Sequence, residues 1–120
     1  MELRVGTGFD IHRCSSRRRP LVLGGVRFEW EVGLEGHSDA DVVLHAVMDA
    51  LLGAAGLGDI GVHFPPEEPA WRDASSADLA REIAASPEFG PAFLDPLGGV
   101  PVTRASLWNV PASISAWVSV

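Results

Sequence analysis

Lysine is absent from this chain of 120 residues, and its 9 basic residues, all arginines, face 16 acidic ones. The formal net charge of -7 excludes the basic footprint by which proteins ordinarily grip nucleic acid. An acidic chain can still take a phosphorylated small molecule, provided a metal or backbone amides supply the positive potential. Cysteine occurs once, at Cys14, which excludes an internal disulfide framework and suits a reducing compartment. Only nearby arginines could activate that thiol, so it is given no role. No apolar run approaches the roughly 18 residues of a membrane helix, and Met1-Glu2-Leu3-Arg4-Val5 lacks the charged-then-apolar pattern of a signal peptide. The expectation is a cytoplasmic protein with no membrane and no nucleic-acid partner, folded as a single domain over 1–120 with a modest core.

What is present begins with strand signals. Leu3 to Phe9 alternates and carries Gly6 and Gly8, which reads as a strand ending where the backbone can approach a neighbour closely. Residues 13–20 are charged, serine-rich and end in Pro20, a loop whose Arg17-Arg18-Arg19 is either solvated or a contact for phosphate or a partner. Leu21 to Phe28 reads as a strand with a bulge or turn at Gly24-Gly25, hairpin-paired to the first strand. A shorter apolar stretch around Trp30 leads to Gly33 and Gly36.

Helix signals follow. Ser38 and Asp39 are cap residues before a helix predicted from Ala40 to about Ala55. Val43, Ala46, Val47, Ala50, Leu51 and Ala54 form its apolar face, and Asp41, His45 and Asp49 form a polar stripe at four-residue spacing. Gly53, Gly56 and Gly58 stop it, Gly58-Asp59-Ile60-Gly61 makes a turn, and the three prolines of residues 63–69 impose extended loop. Ser75-Ser76-Ala77-Asp78 caps a second helix to about Ala85, ended by Ser86-Pro87. Beyond Glu88 helical periodicity is lost, and only Val100 to Trp108 and Ile114 to Val120 look strand-like.

Asp10 and His12, two apart on a strand, point to the same face. One carboxylate oxygen and one imidazole nitrogen are half of a divalent-metal site, and His45 could complete a three-ligand site with one position open. The spacing equally allows a surface Asp-x-His and an unrelated helical histidine. His37, Ser38 and Asp39 lie where a helix N-terminus favours an anion, or merely cap that helix. Asp49 and Asp59 are either surface carboxylates or contacts to a substrate hydroxyl. Gly-Leu-Gly-Asp-Ile-Gly follows a helix rather than a strand and is not a dinucleotide fingerprint. His63 reads as a surface loop residue.

In order along the chain stand Gly8-Phe9-Asp10-Ile11-His12, Leu23-Gly24-Gly25-Val26, His37-Ser38-Asp39-Ala40-Asp41-Val42, Leu44-His45-Ala46, Asp49-Ala50-Leu51-Leu52-Gly53-Ala54, and Gly58-Asp59-Ile60-Gly61 with Phe64-Pro65. Together they resemble the N-terminal half of the 2-C-methyl-D-erythritol 2,4-cyclodiphosphate synthase family, over about residues 4–82. The resemblance implies an α/β subunit of α+β type, a small mixed sheet packed against helices on one side, assembled as a homotrimer. It implies that Asp10, His12 and His45 bind zinc, and that His37, as a catalytic residue, and Ser38 contact the substrate's phosphates. Asp49, Asp59 and Gly61 would line the pocket for the methylerythritol part, with Asp10 and His12 also beside the substrate.

The implied reaction is intramolecular. The 2-phosphate of 4-diphosphocytidyl-2-C-methyl-D-erythritol 2-phosphate attacks the β-phosphate, closes the cyclic diphosphate and expels CMP, in non-mevalonate isoprenoid biosynthesis. Attack of one anion on another needs charge neutralisation and alignment more than a protein nucleophile. The family's second half carries a Lys-Ala-Thr-Thr-Thr-Glu type motif for the cytidine side and a second magnesium or manganese ion. No ligand for that ion is found here, and residues 87–120 read as a divergent or truncated tail. The alternative expectation is therefore a remnant that binds metal or phosphate without turnover.

Overall fold

Residues 5–85 and residue 87 are described by a computed structural model of the chain. Two short strands, β1 (Leu21–Leu23) and β2 (Val26–Phe28), pair antiparallel, Leu21 opposite Phe28 and Leu23 opposite Val26. Gly24 and Gly25 join them with φ of 62° and 76°, the left-handed geometry that two-residue hairpin turns need and glycine adopts without strain. The turn expected at the glycine pair is thus present, but the hairpin is internal to residues 21–28. The expected pairing with Leu3 to Phe9 is not formed among the described residues.

Residues 5–12 instead lie along a helix. They alternate one by one between exposed and half-buried, the period of an extended chain. A Cβ at Gly6 would sit 1.9 Å from the Ala50 carbonyl oxygen, and one at Gly8 1.7 Å from that of Ala46. Backbone therefore meets backbone, which only glycine permits. Val5, Phe9 and Ile11 face outward, as do Val26, Phe28, Trp30 and Val32 farther along. Beyond His12 the chain pairs briefly with residues 33–35, through Ser15 N–H to the Gly33 carbonyl (2.8 Å) and Glu35 N–H to that of Arg13 (2.8 Å).

Helix α1 (Val42–Ala55) starts two residues later than predicted, and its N-cap is Asp41 rather than Ser38 or Asp39. Ser38 and Ala40 both have positive φ, 52° and 51°, and Ala40 N–H closes the turn onto the His37 carbonyl at 3.0 Å. No helix can begin inside that turn. Asp41 belongs to no solvated stripe: it is fully buried, and its carboxylate accepts from Leu44 N–H (3.0 Å), Gly24 N–H (2.9 Å) and Gly25 N–H (2.6 Å). One side chain thus caps the helix and pins the hairpin turn against it.

Val42, Leu44, Ala46, Met48, Ala50 and Leu52 are buried and the residues between them half-buried. The helix is covered all round, unlike the one-sided helix expected. The extended segment covers one side, and α3 (Ser76–Ala85), close to its predicted span, covers another. Gly56, at φ 73°, ends α1 and donates to the Gly53 and Leu52 carbonyls.

Where a plain turn was predicted, Asp59 caps a single helical turn, α2 (Ile60–His63). The proline-rich stretch after it is irregular until a 3-10 turn at Pro69–Trp71, which sets Trp71 edge-on to Phe64 at 5.0 Å between centroids. Leu44, Met48, Leu52, Ala80 and Ile83 form the main core between α1 and α3, and Leu34, Ala40 and Val42 form a second cluster under β1. The result is an α/β arrangement with a small antiparallel pair of strands. Among the described residues no helix is long and apolar enough to cross a membrane. The strand-like stretches predicted at 100–108 and 114–120 lie outside the described residues.

Candidate metal centre

The close approach of the extended segment to α1 carries Asp10 and His12 to the first turns of the helix, beside His45. Asp10 Oδ2 lies 2.9 Å from His12 Nε2 and 3.0 Å from His45 Nδ1, and the two nitrogens are 3.3 Å apart. A four-coordinate ion bound at about 2.0–2.1 Å sets its donors about 3.3 Å apart. This triangle, in which every ligand atom is within reach of the others, is close to that size. With both ring nitrogens unprotonated, a carboxylate oxygen and two imidazole lone pairs would converge on one point and favour a cation there.

Four further observations describe the cluster. The second nitrogen of His12, Nδ1, is buried without a hydrogen-bond partner, so the ring is engaged only through the nitrogen that faces the cluster. The imidazole rings are splayed, 5.2 Å between centroids and inclined at 52°, so their nitrogens meet while their faces stay apart. Asp10 Oδ1 is occupied by the Ile11 N–H at 2.8 Å, which turns Oδ2 toward the two histidines. All three side chains are largely covered, 13 % exposed for His12, 16 % for His45 and 25 % for Asp10.

The exposed His37 sits on the turn that precedes α1. A Cβ on its neighbour Gly36 would lie 2.9 Å from the His12 ring, so this turn packs directly over a candidate ligand. Arg19 holds the turn from outside, donating Nη1–H to the Gly36 carbonyl (3.1 Å) and Nη2–H to that of Ser38 (2.5 Å). The last arginine of the triplet is therefore not wholly solvated: it braces the backbone on both sides of His37.

Asp49, one turn beyond His45, accepts from the Ile60 N–H at 2.9 Å. Asp59 accepts from the Val62 N–H at 3.1 Å. A Cβ on the exposed Gly61 would lie 3.2 Å from Asp59 Oδ1. The structure thus gathers Asp49, Asp59 and Gly61 at the junction of α1 and α2, with one oxygen of each carboxylate already bonded to backbone.

Two residues read from the sequence only at helix starts also reach this cluster. Ser76, buried at the start of α3, approaches His45 Nε2 with its Oγ at 3.0 Å and donates to Asp39 Oδ1 at 2.6 Å. Asp39 Oδ2 accepts the Ser76 N–H at 2.9 Å. Both had the composition of helix caps, but Asp39 serves the first N–H of α3 rather than α1, and the capping bond of α3 itself runs from the Asp78 N–H to Ser75 Oγ at 3.1 Å. The partners stand 31 and 37 residues apart, beyond the reach of any local periodicity.

With this geometry in view, comparison with known proteins is specific. A family model described as the YgbB family matches residues 3–88. A protein of Symbiobacterium thermophilum named 2-C-methyl-D-erythritol 2,4-cyclodiphosphate synthase is 66% identical over 79 residues, 66% of this chain and 50% of the relative. One of the same name from Thermosynechococcus vestitus is 58% identical over 85 residues, 71% of this chain and 52% of the relative. A solved structure of a 2C-methyl-D-erythritol-2,4-cyclodiphosphate synthase is similar at a TM-score of 0.62 and 49% identity, covering 67% of this chain and 53% of that one. The chain spans about half the length of the curated relatives it matches.

Proposed function

The chain belongs to the YgbB family, and from that premise we propose that it carries the metal- and phosphate-binding half of a 2-C-methyl-D-erythritol 2,4-cyclodiphosphate synthase. The observation that carries this reading is the triangle of Asp10 Oδ2, His12 Nε2 and His45 Nδ1. These three residues would hold a zinc ion, which when bound neutralises phosphate charge and acts as a Lewis acid on a phosphate oxygen.

The reaction joins an oxygen of the 2-phosphate to the β-phosphorus of the diphosphocytidyl group and breaks the bond from that phosphorus to the bridging oxygen. CMP leaves with that oxygen, and no water is consumed. The work of the protein is therefore alignment of two anions and exclusion of water. His37 would donate a hydrogen bond to a phosphate oxygen and Ser38 would offer its hydroxyl beside it. Arg19 would keep both in register through the carbonyls it holds. Asp49 and Asp59 each keep one carboxylate oxygen beyond those bonded to backbone, available to hydroxyl groups of the methylerythritol part near Gly61. A homotrimer is supported by the apolar row of Val5, Phe9 and Ile11, exposed with Phe28 and Trp30, since a face of that kind ordinarily marks an interaction site.

The test is metal analysis of the purified chain after reconstitution, followed by incubation with the cognate substrate. About one zinc per chain and CMP appearing together with the cyclic product are expected. A chain that takes up no zinc sinks the site assignment, and inorganic phosphate in place of a cyclic product would point to a hydrolase instead. A second reading, a metal- and phosphate-binding piece without turnover, is favoured by residues 89–120, which the family model does not match and which hold no Lys-Ala-Thr-Thr-Thr-Glu type motif. Zinc bound with no CMP formed would support it.

A further inference from the structure

Ser76 touches a candidate ligand from the side away from the metal position, and its chemistry dictates what that ligand can do. A serine hydroxyl has one proton to give and two lone pairs to receive with. Its Oγ lies 2.6 Å from Asp39 Oδ1 and 3.0 Å from His45 Nε2. A carboxylate oxygen can only accept, so the single hydroxyl proton is committed to Asp39. The orientation is enforced, because Asp39 Oδ2 also takes the Ser76 N–H at 2.9 Å, fastening carboxylate and serine as a two-point pair. Ser76 Oγ is left with lone pairs only, and the one group it can accept from is His45 Nε2–H.

We propose that the Asp39–Ser76 pair locks His45 in the Nε2–H tautomer and so presents a bare Nδ1 to the metal. The inference rests on the metal-site reading and assigns it two positioning residues, Ser76 and Asp39, neither of which touches the ion. A neutral imidazole carries one proton; with Nε2 protonated, Nδ1 is left as an acceptor 3.0 Å from Asp10 Oδ2 and 3.3 Å from His12 Nε2. Three acceptors at those distances repel one another until a cation joins them. The pair on α3 therefore sets, before any metal arrives, which nitrogen will bind it. Partners of this kind typically change metal affinity by about 10–100-fold when removed.

The experiment reads the tautomer directly, by long-range proton–nitrogen correlation of the His45 ring in the full, metal-free chain, with zinc titration beside it. The wild-type chain is expected to show the proton on Nε2. Asp39→Asn is the sharpest variant. Two backbone donors face its single amide oxygen, the Ser76 N–H at 2.9 Å and the Asp41 N–H at 3.3 Å. Held by the shorter bond, that oxygen turns the amide NH2 toward Ser76 Oγ. The serine proton is then released to His45 Nε2, and the ring proton is expected on Nδ1, with zinc affinity lowered about 10–100-fold. Ser76→Ala should weaken zinc binding in the same range, and Ser76→Thr, which keeps the hydroxyl, should restore it.

A wild-type ring with no proton on Nε2 overturns the proposal. So does Asp39→Asn with an unchanged tautomer, or Ser76→Ala with wild-type zinc affinity. The tautomer is read without metal, so a wild-type chain with the Nε2 proton but no zinc uptake condemns the metal reading while leaving the lock standing. Should Ser76→Ala fail to fold, the Asp39→Asn and Ser76→Thr pair decides alone.

Discussion

The two sides of α1 solve the same packing problem in opposite ways. On one side, Leu44, Met48 and Leu52 meet Ala80 and Ile83 of α3 in a closed apolar core. On the other lies a backbone segment whose inward positions are glycines and candidate ligands, and whose outward positions, Val5, Phe9 and Ile11, are exposed. The helical side is completed by residues within the described chain. The strand side has an apolar outer row with nothing over it among the described residues, in a chain that spans half the length of its relatives. Stability should therefore be concentrated on the helical side, while the candidate metal ligands Asp10, His12 and His45 sit on the seam, drawn from both sides.

Four measurements would break or sharpen that contrast. The largest effect is expected from Met48→Ala, a fully buried side chain in the closed core, which should cost about 3–5 kcal/mol in denaturant unfolding. A loss under about 1 kcal/mol would show that the helical side is not where stability resides. Asp41→Ala comes next, at about 2–4 kcal/mol, because it removes a cap and leaves the Gly24 and Gly25 N–H groups without their acceptor. It also uncouples the hairpin from the helix, so hydrogen exchange should quicken at residues 21–28 more than at α3.

Zinc itself is the third measurement. At a free concentration one hundred times its dissociation constant it should add about 2.7 kcal/mol to unfolding stability. A chelator should remove that gain, as should His45→Ala. Gly8→Ala, whose Cβ would collide with the Ala46 carbonyl at 1.7 Å, should abolish it as well by moving the ligand-bearing segment off the helix. The smallest effect belongs to Trp30→Ser, at a position 71% exposed, which should change stability by less than about 0.5 kcal/mol. A much larger loss there would mean that the strand side is covered in solution.

The candidate ligands drew notice because each half of the pattern is local, Asp10 and His12 two apart on an extended segment and His45 on a helix. Spacing alone left open a surface Asp-x-His and an unrelated histidine, and only the ordered motifs joined the three. The motif order carried the family assignment for the same reason. What escaped reading depends on contacts across the chain. Asp41 looked like one of three acidic or histidine positions at helical spacing, yet its carboxylate is consumed by a turn 16 and 17 residues earlier. The buried set of α1 was misjudged because periodicity describes one partner, and this helix has neighbours all round. The start of α1 was shifted by the left-handed turn at Ser38 and Ala40, residues whose types do not announce that geometry. Ser76 was read for its nearest function, a cap, while its second bond goes to a residue 31 positions away.

Gly8 also has a bearing on which ions can enter. The gap between the two ligand-bearing elements is set by one main chain resting on another, a contact with no rotamers to adjust and little room to compress. A donor triangle across that gap would widen if the segment lifted away from the helix. Were an ion held there, selection by its radius would rest in part on two atoms the chain does not have, the β-carbons of Gly6 and Gly8.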